Sequence, residues 1–167
     1  VSLFSDMIVQ CGYKPGIKLL DSHNSTADRE IAKALEISEG DEIVVAKKIF
    51  LADEKPCAFC VDYFPTSLLK SPADLKLMGE YPNSLFDFLD ARCGRRVEWD
   101  RTEIITVTNA DHPELTEHFQ CQKRIKSFLL LDCINFDGND RPVVYAQEYI
   151  DTNYIKFNSI RQKAYQN

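Results

Sequence analysis

Apolar and polar residues alternate along several stretches of this chain, which is the pattern of β-strands that bury one face. Two pairs of these stretches are separated only by short polar segments, at residues 52–55 and 137–141, and each pair is predicted to form a β-hairpin. The predicted strands are residues 17–22, 42–51, 56–64, 96–108, 126–136, 142–150 and 154–161.

Apolar residues at helical spacing predict short helices between the strands. The first helix opens at Leu3-Phe4-Ser5-Asp6, where Ser5 is placed to cap it and Gly12 to end it. Ser25 or Thr26 is expected to cap a second helix that runs to residue 35. Further helices are predicted over residues 82–91 and 110–119, with a helical turn at residues 66–69.

The second half of the chain repeats the pattern of the first. Asp62-Tyr63 matches Glu148-Tyr149 and Pro56 matches Pro142, with an offset that drifts from about 83 to about 86 residues along the repeat. Two copies of strand–helix–hairpin predict one pseudo-symmetric α/β (α+β) domain. We expect the hairpins to pair in a single antiparallel sheet, with the helices covering one face.

The composition fits one globular domain and disfavours direct contact with nucleic acid. Of the 167 residues, 44% are hydrophobic and 28% are charged, which is enough apolar material for a core. The net charge of −6 is unsuited to binding a phosphate backbone. The apolar runs, such as residues 128–131, are only a few residues long, so the sequence predicts no membrane span and no secretory signal, and we expect a cytoplasmic protein.

The chain begins at Val1 rather than Met and enters a predicted helix at once. We therefore expect it to be a piece of a longer protein that continues on the N-terminal side.

The six cysteines and three histidines do not predict a metal centre. Cys57 and Cys60 have the CxxC spacing, but a structural zinc site also needs a second ligand pair, and none stands at a suitable spacing. Without a secretory signal, scattered reduced thiols are the expected state. We expect no cofactor.

Isolated charges interrupt the apolar strands and are the candidates for a binding site. Lys48 lies among Val and Ile residues, and Asp132 ends an apolar run. Asp62 and Glu148 occupy equivalent places in the two repeats. Charges in half-buried strands cost free energy unless they are paired or face a wet cavity. Two interpretations stay open: these side chains point to water or pair with each other, or they line a ligand cavity between the two hairpins.

The motifs of the common enzyme classes are missing from the sequence. There is no Gly-rich phosphate-binding loop and no GxSxG motif, and no Ser, His and acid group together. We therefore predict that the chain is not an enzyme.

Five segments, taken in order, resemble one known family. In chain order, the first two are LFSD at residues 3–6 and ALEISEGDEIVVAKKIFLADEKP at 34–56, which is followed by DYFP at 62–65. The other three are SLFDFL at 84–89, DRPVVY at 140–145, and the closing Tyr149 with YIKF at 154–157 and Arg161. Together they resemble the UTRA effector-binding domain of GntR-type transcription regulators (HutC subfamily). The resemblance covers essentially the whole chain.

The resemblance implies a chorismate-lyase-like fold with a six-stranded antiparallel sheet and flanking helices. It implies that residues 1–167 form one effector-binding domain, and that a winged helix-turn-helix domain for DNA binding precedes it. Members of this family are usually homodimers in which a small cytosolic metabolite alters operator binding. The expected function is thus ligand sensing, with operator DNA contacted only through the missing domain.

The resemblance also implies where an effector binds. In members that bind sugar phosphates, the positions of Ser5 and Ser84 hold phosphate at helix starts. An R-x-R pair of those members is replaced here by Lys48 and Phe50, and a Glu of the next strand by Cys60. The expected effector-binding residues are Phe4, Ser5, Lys48, Phe50, Cys60, Asp62, Ser84, Phe86, Tyr145 and Glu148.

These replacements bear on the class of effector. A lone ammonium does not reproduce a bidentate guanidinium clamp, whereas a Phe side chain can stack on a ring. Among sugar phosphates, nucleosides and other metabolites, the replacements favour a less anionic compound.

Alternatives to these assignments stay open. Ser5 and Ser84 can be plain helix N-caps, and Tyr63, Tyr145 and Tyr149 can be ordinary sheet residues. At the level of function, the alternatives are a lyase-type enzyme on the same fold and a dimerisation module without a ligand.

Overall fold

The computed structural model describes residues 4–80 and 84–166. Its elements, in chain order, are α1 (Phe4–Gln10), β1 (Pro15–Thr26), α2 (Arg29–Leu35), β2 (Glu42–Ala52), β3 (Lys55–Pro65), a 3-10 turn (Thr66–Leu68), α3 (Ala73–Glu80), α4 (Leu85–Cys93), β4 (Trp99–Thr108), α5 (Glu114–His118), β5 (Ser127–Phe136) and β6 (Pro142–Ile150). Leu3 of the opening motif lies outside the described residues, as do the first two residues of the helix predicted over 82–91.

The six strands form one antiparallel sheet in the order β1-β2-β3-β6-β5-β4, which confirms the predicted α+β fold. Both predicted hairpins are present, β2 with β3 and β5 with β6. Their second strands meet at the centre of the sheet, where Cys60 lies opposite Glu148 and Asp62 lies opposite Ala146. This register confirms the repeat. Cys60 is equivalent to Ala146 and Asp62 to Glu148, so superposing one hairpin on the other converts the first pair into the second.

Helices cover both faces of the sheet, so the expectation that they would cover one face is wrong. On one face α1, α3 and α4 contribute Ile8, Met78 and Phe88 to a core with strand residues such as Phe64 and Val144. We call this the α4 face. On the other face, which we call the α2 face, helices α2 and α5 pack on alternate residues of the same strands. The central strands are apolar on both sides, which requires two layers of helices to exclude water.

Helix α2 begins later than predicted. Strand β1 continues through Ser25 and Thr26, which pair with β2, so neither residue caps the helix. The N-cap is Asp28, whose carboxylate accepts a hydrogen bond from the Ile31 amide at 2.8 Å. An acidic cap at this position also interacts favourably with the helix dipole.

The predicted seventh strand, at residues 154–161, is wrong, since no strand is assigned there. After β6 the chain turns at Asp151, whose carbonyl accepts hydrogen bonds from the amides of Tyr154 and Ile155. β6 already pairs with β3 on one side and β5 on the other, so a segment following it has no free neighbour at the centre of the sheet. Helix α3 has no counterpart among the predicted elements.

The turn of the last hairpin is tied to the end of α4. Asp137 accepts hydrogen bonds from the amides of Asn139 and Arg141 and from the Arg95 guanidinium at 2.9 Å. Although burial opposes ionisation, these donors and cations hold the pKa of the Asp137 carboxyl below its usual range. The contact positions α4 over the sheet. None of the helices in the described part of the chain is long and apolar enough to cross a membrane.

Candidate functional site

The charged residues of the hairpins meet in the middle of the sheet, on the α4 face. Lys48 on β2, Cys60 on β3 and Glu148 on β6 are successive cross-strand neighbours. Asp62 lies two residues beyond Cys60 on β3. Cys133 lies on β5, two residues beyond Leu131, which is the neighbour of Glu148. Both residues point to the same face as Cys60 and Glu148. We call Lys48, Cys60, Asp62, Cys133 and Glu148 the central cluster. Cross-strand neighbours in an antiparallel sheet have Cβ atoms about 5 Å apart, so this arrangement places the side chains in contact.

Lys48 is paired with Asp62. Its Nζ lies 3.5 Å from Asp62 Oδ2, and the two side chains are 19% and 9% exposed. Burial by itself lowers the pKa of the Lys48 ammonium, but Asp62 and the other acidic groups around it more than offset this, and the pKa lies above its usual value. The ammonium also lies 5.5 Å from the centre of the Phe50 ring, which contacts the Phe4 ring at 5.1 Å. This half of the cluster is charge-balanced.

Glu148 has a different environment. Burial raises the pKa of its carboxyl to about 7, and the neighbouring Asp62 carboxylate adds to the increase. Its hydrogen-bond donor is the Cys133 thiol, with Sγ 3.3 Å from Oε1. Burial also raises the pKa of the Cys133 and Cys60 thiols, so both stay neutral. Among the described residues, no salt bridge joins Glu148 to a cation.

Part of the central cluster remains accessible to solvent. Lys48, Glu148 and the neighbouring Ala46 are only partly buried, although they lie on inner strands beneath a layer of helices. The flanking residues Phe50 and Val144 are buried. The helices of the α4 face therefore leave the cluster partly open to solvent, and we call this accessible surface the recess. Polar groups that converge among apolar surroundings are typical of a ligand site.

Comparison with known proteins shows the family. The family model for the UTRA domain matches residues 10–156. The chain belongs to the UTRA domain family. The resemblance seen in the sequence is thereby confirmed, and with it the expected role as a ligand-sensing regulatory domain. A search of curated proteins found no match to this UTRA domain.

Solved structures of low identity share the fold. The ligand-binding domain of a regulator assigned to the GntR family from Bordetella bronchiseptica superposes with a TM-score of 0.79 at 17% identity, covering 89% of this chain and 91% of that one. PhnF from Mycobacterium smegmatis gives 0.81 at 16% identity, covering 98% of this chain and 70% of PhnF. The separately solved effector domain of PhnF gives 0.78 at 16% identity, covering 96% and 95%.

The helices of this UTRA domain bring most of the remaining predicted residues to the same face. Phe4 and Phe86 pack against the α4-face core. Ser84 is the N-cap of α4 and accepts a hydrogen bond from the Asp87 amide at 3.3 Å, which confirms its interpretation as a cap. Ser5 lies within α1, which begins at Phe4, so it is not the cap of that helix. Gly12 follows the end of α1 with a φ of +89°, as predicted.

Tyr145 does not join the other predicted site residues. It lies on the α2 face, where its hydroxyl donates to Asp132 Oδ2 at 3.0 Å and lies 3.4 Å from Glu30 on α2. Asp132 points to this face as well. The reason is strand alternation, since Tyr145 and Glu148 are three residues apart and therefore point to opposite sides.

Cys133 and Ala46 were missed by the sequence analysis, and the strand register shows how Cys133 relates to Lys48. Lys48 pairs with Cys60 across the first hairpin, and Cys133 pairs with Ala146 across the second. Because Cys60 and Ala146 are equivalent in the repeat, Cys133 is the equivalent of Lys48. The sequence alone does not assign this equivalence, because the offset of 86 residues at Asp62 and Glu148 would align Lys48 with Ile134 instead.

Proposed function

We propose that this UTRA domain binds a small-molecule effector in the recess over the central cluster. The observation that carries the proposal is that Lys48 and Glu148 stay partly accessible on inner strands that helices cover on both faces. Burying charged groups there costs free energy that packing alone would avoid, so a ligand is the simplest reason for their presence. The expected effector-binding residues on this face are retained in the proposal, and Tyr145 is not.

Effector binding would act on a DNA-binding domain joined to the N-terminal side of α1. The PhnF comparison supports this arrangement, because the chain spans 95% of the PhnF effector domain but 70% of PhnF itself. Phe4 links α1 to the Phe50 ring beside the cluster, so an effector touching Phe50 would change the position of α1. The effector shifts the population between two arrangements only as far as it binds one better than the other. We place the protein in the cytoplasm, where such metabolites and operator DNA meet.

We further propose that the domain forms a homodimer through β4. This strand lies at one edge of the sheet and pairs with β5 in a continuous register, while β1 at the other edge carries a register shift after Leu19. β4 exposes Ile104 and Ile105, which are 64% and 41% accessible. A regular edge strand that exposes apolar side chains favours pairing with a second copy, whereas an irregular one discourages it.

A lyase-type activity on the same fold has less support. Domains of transcription regulators are among the solved structures that share the fold of this chain. Arg95, a partly buried arginine of the described chain, is bound to Asp137 at the hairpin turn and not to the central cluster.

The location of the site is tested by the variant Ala46→Leu. Ala46 faces the recess and is partly accessible, so a larger side chain there fills space needed by an effector. The matched control is Lys47→Leu on the adjacent residue, which points to the α2 face. We expect a ligand found by thermal-shift screening of sugar phosphates, nucleosides, amino acids and aromatic acids to stabilise wild type and Lys47→Leu equally.

The same ligand is expected to bind Ala46→Leu at least about tenfold more weakly, which lowers the shift in melting temperature at a given concentration. Melting of the ligand-free variants shows that the fold is retained. Equal binding to Ala46→Leu and wild type would place the effector elsewhere.

A further inference from the structure

The two hairpins place two carboxylates in equivalent positions but give them different partners. The repeat relates Asp62 to Glu148 and Lys48 to Cys133. In the first hairpin the Lys48 ammonium lies 3.5 Å from Asp62. In the second hairpin the equivalent contact, at 3.3 Å, comes from the neutral Cys133 thiol. The same geometry thus holds a cation in one half of the cluster and none in the other.

The consequence is a carboxyl group with which no cation of the described residues forms a salt bridge. The charged and titratable groups that act on Glu148 come from four strands: Lys48 on β2, Cys60 and Asp62 on β3, Asp100 on β4 and Cys133 on β5. Lys48 is the single cation in this set, and it is already paired with Asp62. An anionic ligand group placed over Glu148 would meet two carboxylates, whereas a cationic group would meet an acceptor.

We propose that the effector carries a protonated amine that binds the Glu148 carboxylate, in the place equivalent to the one that the Lys48 ammonium takes at Asp62. This inference rests on the proposed function and names the chemical class of its ligand. The Phe50 and Phe4 rings, which stand beside Lys48, provide an apolar wall for the rest of the molecule. The effector is therefore a small amine with a ring or chain that packs on these side chains, and it is not a sugar phosphate without an amine.

The test uses sets of three related compounds: an amine, its hydroxyl analogue and an anionic compound of similar skeleton. Glucosamine, glucose and glucose 6-phosphate form one set, and tyramine, tyrosol and 4-hydroxyphenylacetate form another. Amino acids and nucleosides are tested in sets of the same kind. Binding is measured by isothermal titration on wild type, Glu148→Gln, Cys133→Lys and the control Glu103→Gln. Glu103 is an exposed carboxylate that lies opposite Asp132, on the α2 face.

We expect an amine to bind more tightly than its hydroxyl and anionic analogues. Glu148→Gln should weaken that binding about tenfold to a hundredfold, as the loss of a charge-assisted hydrogen bond does. Cys133→Lys should weaken it as well, because the new ammonium occupies the place of the ligand's amine. Glu103→Gln should bind as wild type does. If Cys133→Lys does not fold, Glu148→Gln and the set of analogues decide the outcome.

Binding of an amine should also release protons. The Glu148 carboxyl, with a pKa of about 7 in the free protein, must lose its proton to pair with an ammonium. Affinity should therefore rise by up to about tenfold per pH unit below pH 7 and level off above it. The heat of binding at pH 6 should depend on the ionisation enthalpy of the buffer.

Each other outcome contradicts one of the two proposals. Tighter binding of a hydroxyl or anionic analogue contradicts the proposal of an amine effector, and so does amine binding that Glu148→Gln leaves unchanged. Both outcomes leave the proposed effector binding intact. Absence of proton release at pH 6 also contradicts the proposal of an amine effector. Failure of every compound to bind wild type contradicts the proposed function, and the inference that rests on it.

Discussion

At the scale of single residues, the central cluster combines groups that a sheet core normally excludes. Glu148 lies on an inner strand between Cys60 and Leu131, and burial raises its pKa to about 7. The Cys133 thiol that contacts it is a weak donor and carries no charge at neutral pH. The folded protein therefore holds this carboxyl in an unfavourable environment when it is ionised, which is typical of functional rather than structural groups.

This environment predicts how stability depends on pH. The pKa of Glu148 rises from 4.5 to about 7 on folding, so the folded state binds more protons than the unfolded state between these values. The contribution of Glu148 is fully present at low pH and is lost as pH rises from about 4.5 through 7, by about 1 to 3 kcal/mol in total. Urea unfolding at a series of pH values measures it.

The variant Glu148→Gln should remove this part of the pH dependence and should be more stable than wild type at pH 8. The exposed carboxylate Glu103 provides the control, since Glu103→Gln should follow the wild-type profile. Parallel profiles for wild type and Glu148→Gln would show that the carboxyl titrates in the folded protein as it does in the unfolded chain.

At the scale of elements, short helices are held by their ends and by the face they bury. Helix α2 has only seven residues, too few for intrinsic helical stability. It is held by the Asp28 cap and by Ala32 and Leu35, which are buried in the core of the α2 face. At its C-terminus Glu36 adopts a φ of 54°, and its amide donates to the carbonyls of Ala32 and Lys33.

The cap predicts the effect of a single substitution. Asp28→Ala should lower the free energy of unfolding by about 1 kcal/mol, because the Ile31 amide loses its acceptor. Ser25→Ala, which changes a residue of β1 that was expected as a cap, should change it by less than about 0.5 kcal/mol. Thermal or urea unfolding of the two variants separates the assignments, and a larger effect of Ser25→Ala would contradict the cap at Asp28.

At the scale of the whole molecule, the repeat determines what lies at the centre and what lies at the edges. The two hairpins meet through β3 and β6, which leaves β1 and β4 as edge strands. β4 has a continuous register with β5 and exposes Ile104, whereas β1 carries a register shift after Leu19. This asymmetry between the edges is the basis of the proposed dimer.

The dimer is tested at both edges. Ile104→Lys places a charge in the middle of β4 and should convert a dimer to a monomer in light scattering coupled to size-exclusion chromatography. Leu19→Lys is the matched change on β1, since Leu19 is 55% exposed and Ile104 is 64% exposed. We expect Leu19→Lys to keep the wild-type mass. The opposite pattern, or a monomeric wild-type chain, would contradict the interface at β4.

Many local features of the fold could be predicted from the sequence because they depend on neighbouring residues. Alternation of apolar residues identified the two hairpins, and Gly12 was correctly placed at the end of α1. Matching the repeats identified Asp62 and Glu148 as equivalent. Local patterns failed where a distant pairing decided the outcome. Thr26 remained in β1 because it pairs with Glu42, and residues 154–161 did not form a strand because β6 was already paired on both sides.

The sequence by itself thus determined the strands of the two hairpins, where the hairpins turn and which residues share a face of one strand. These properties follow from the two-residue period of a strand and from local turn chemistry. Only the tertiary structure decided that Lys48, Glu148 and Cys133 meet, that Tyr145 contacts α2 instead, and that helices cover both faces. Such contacts depend on strand order, which is set by the packing free energy of residues far apart in the chain.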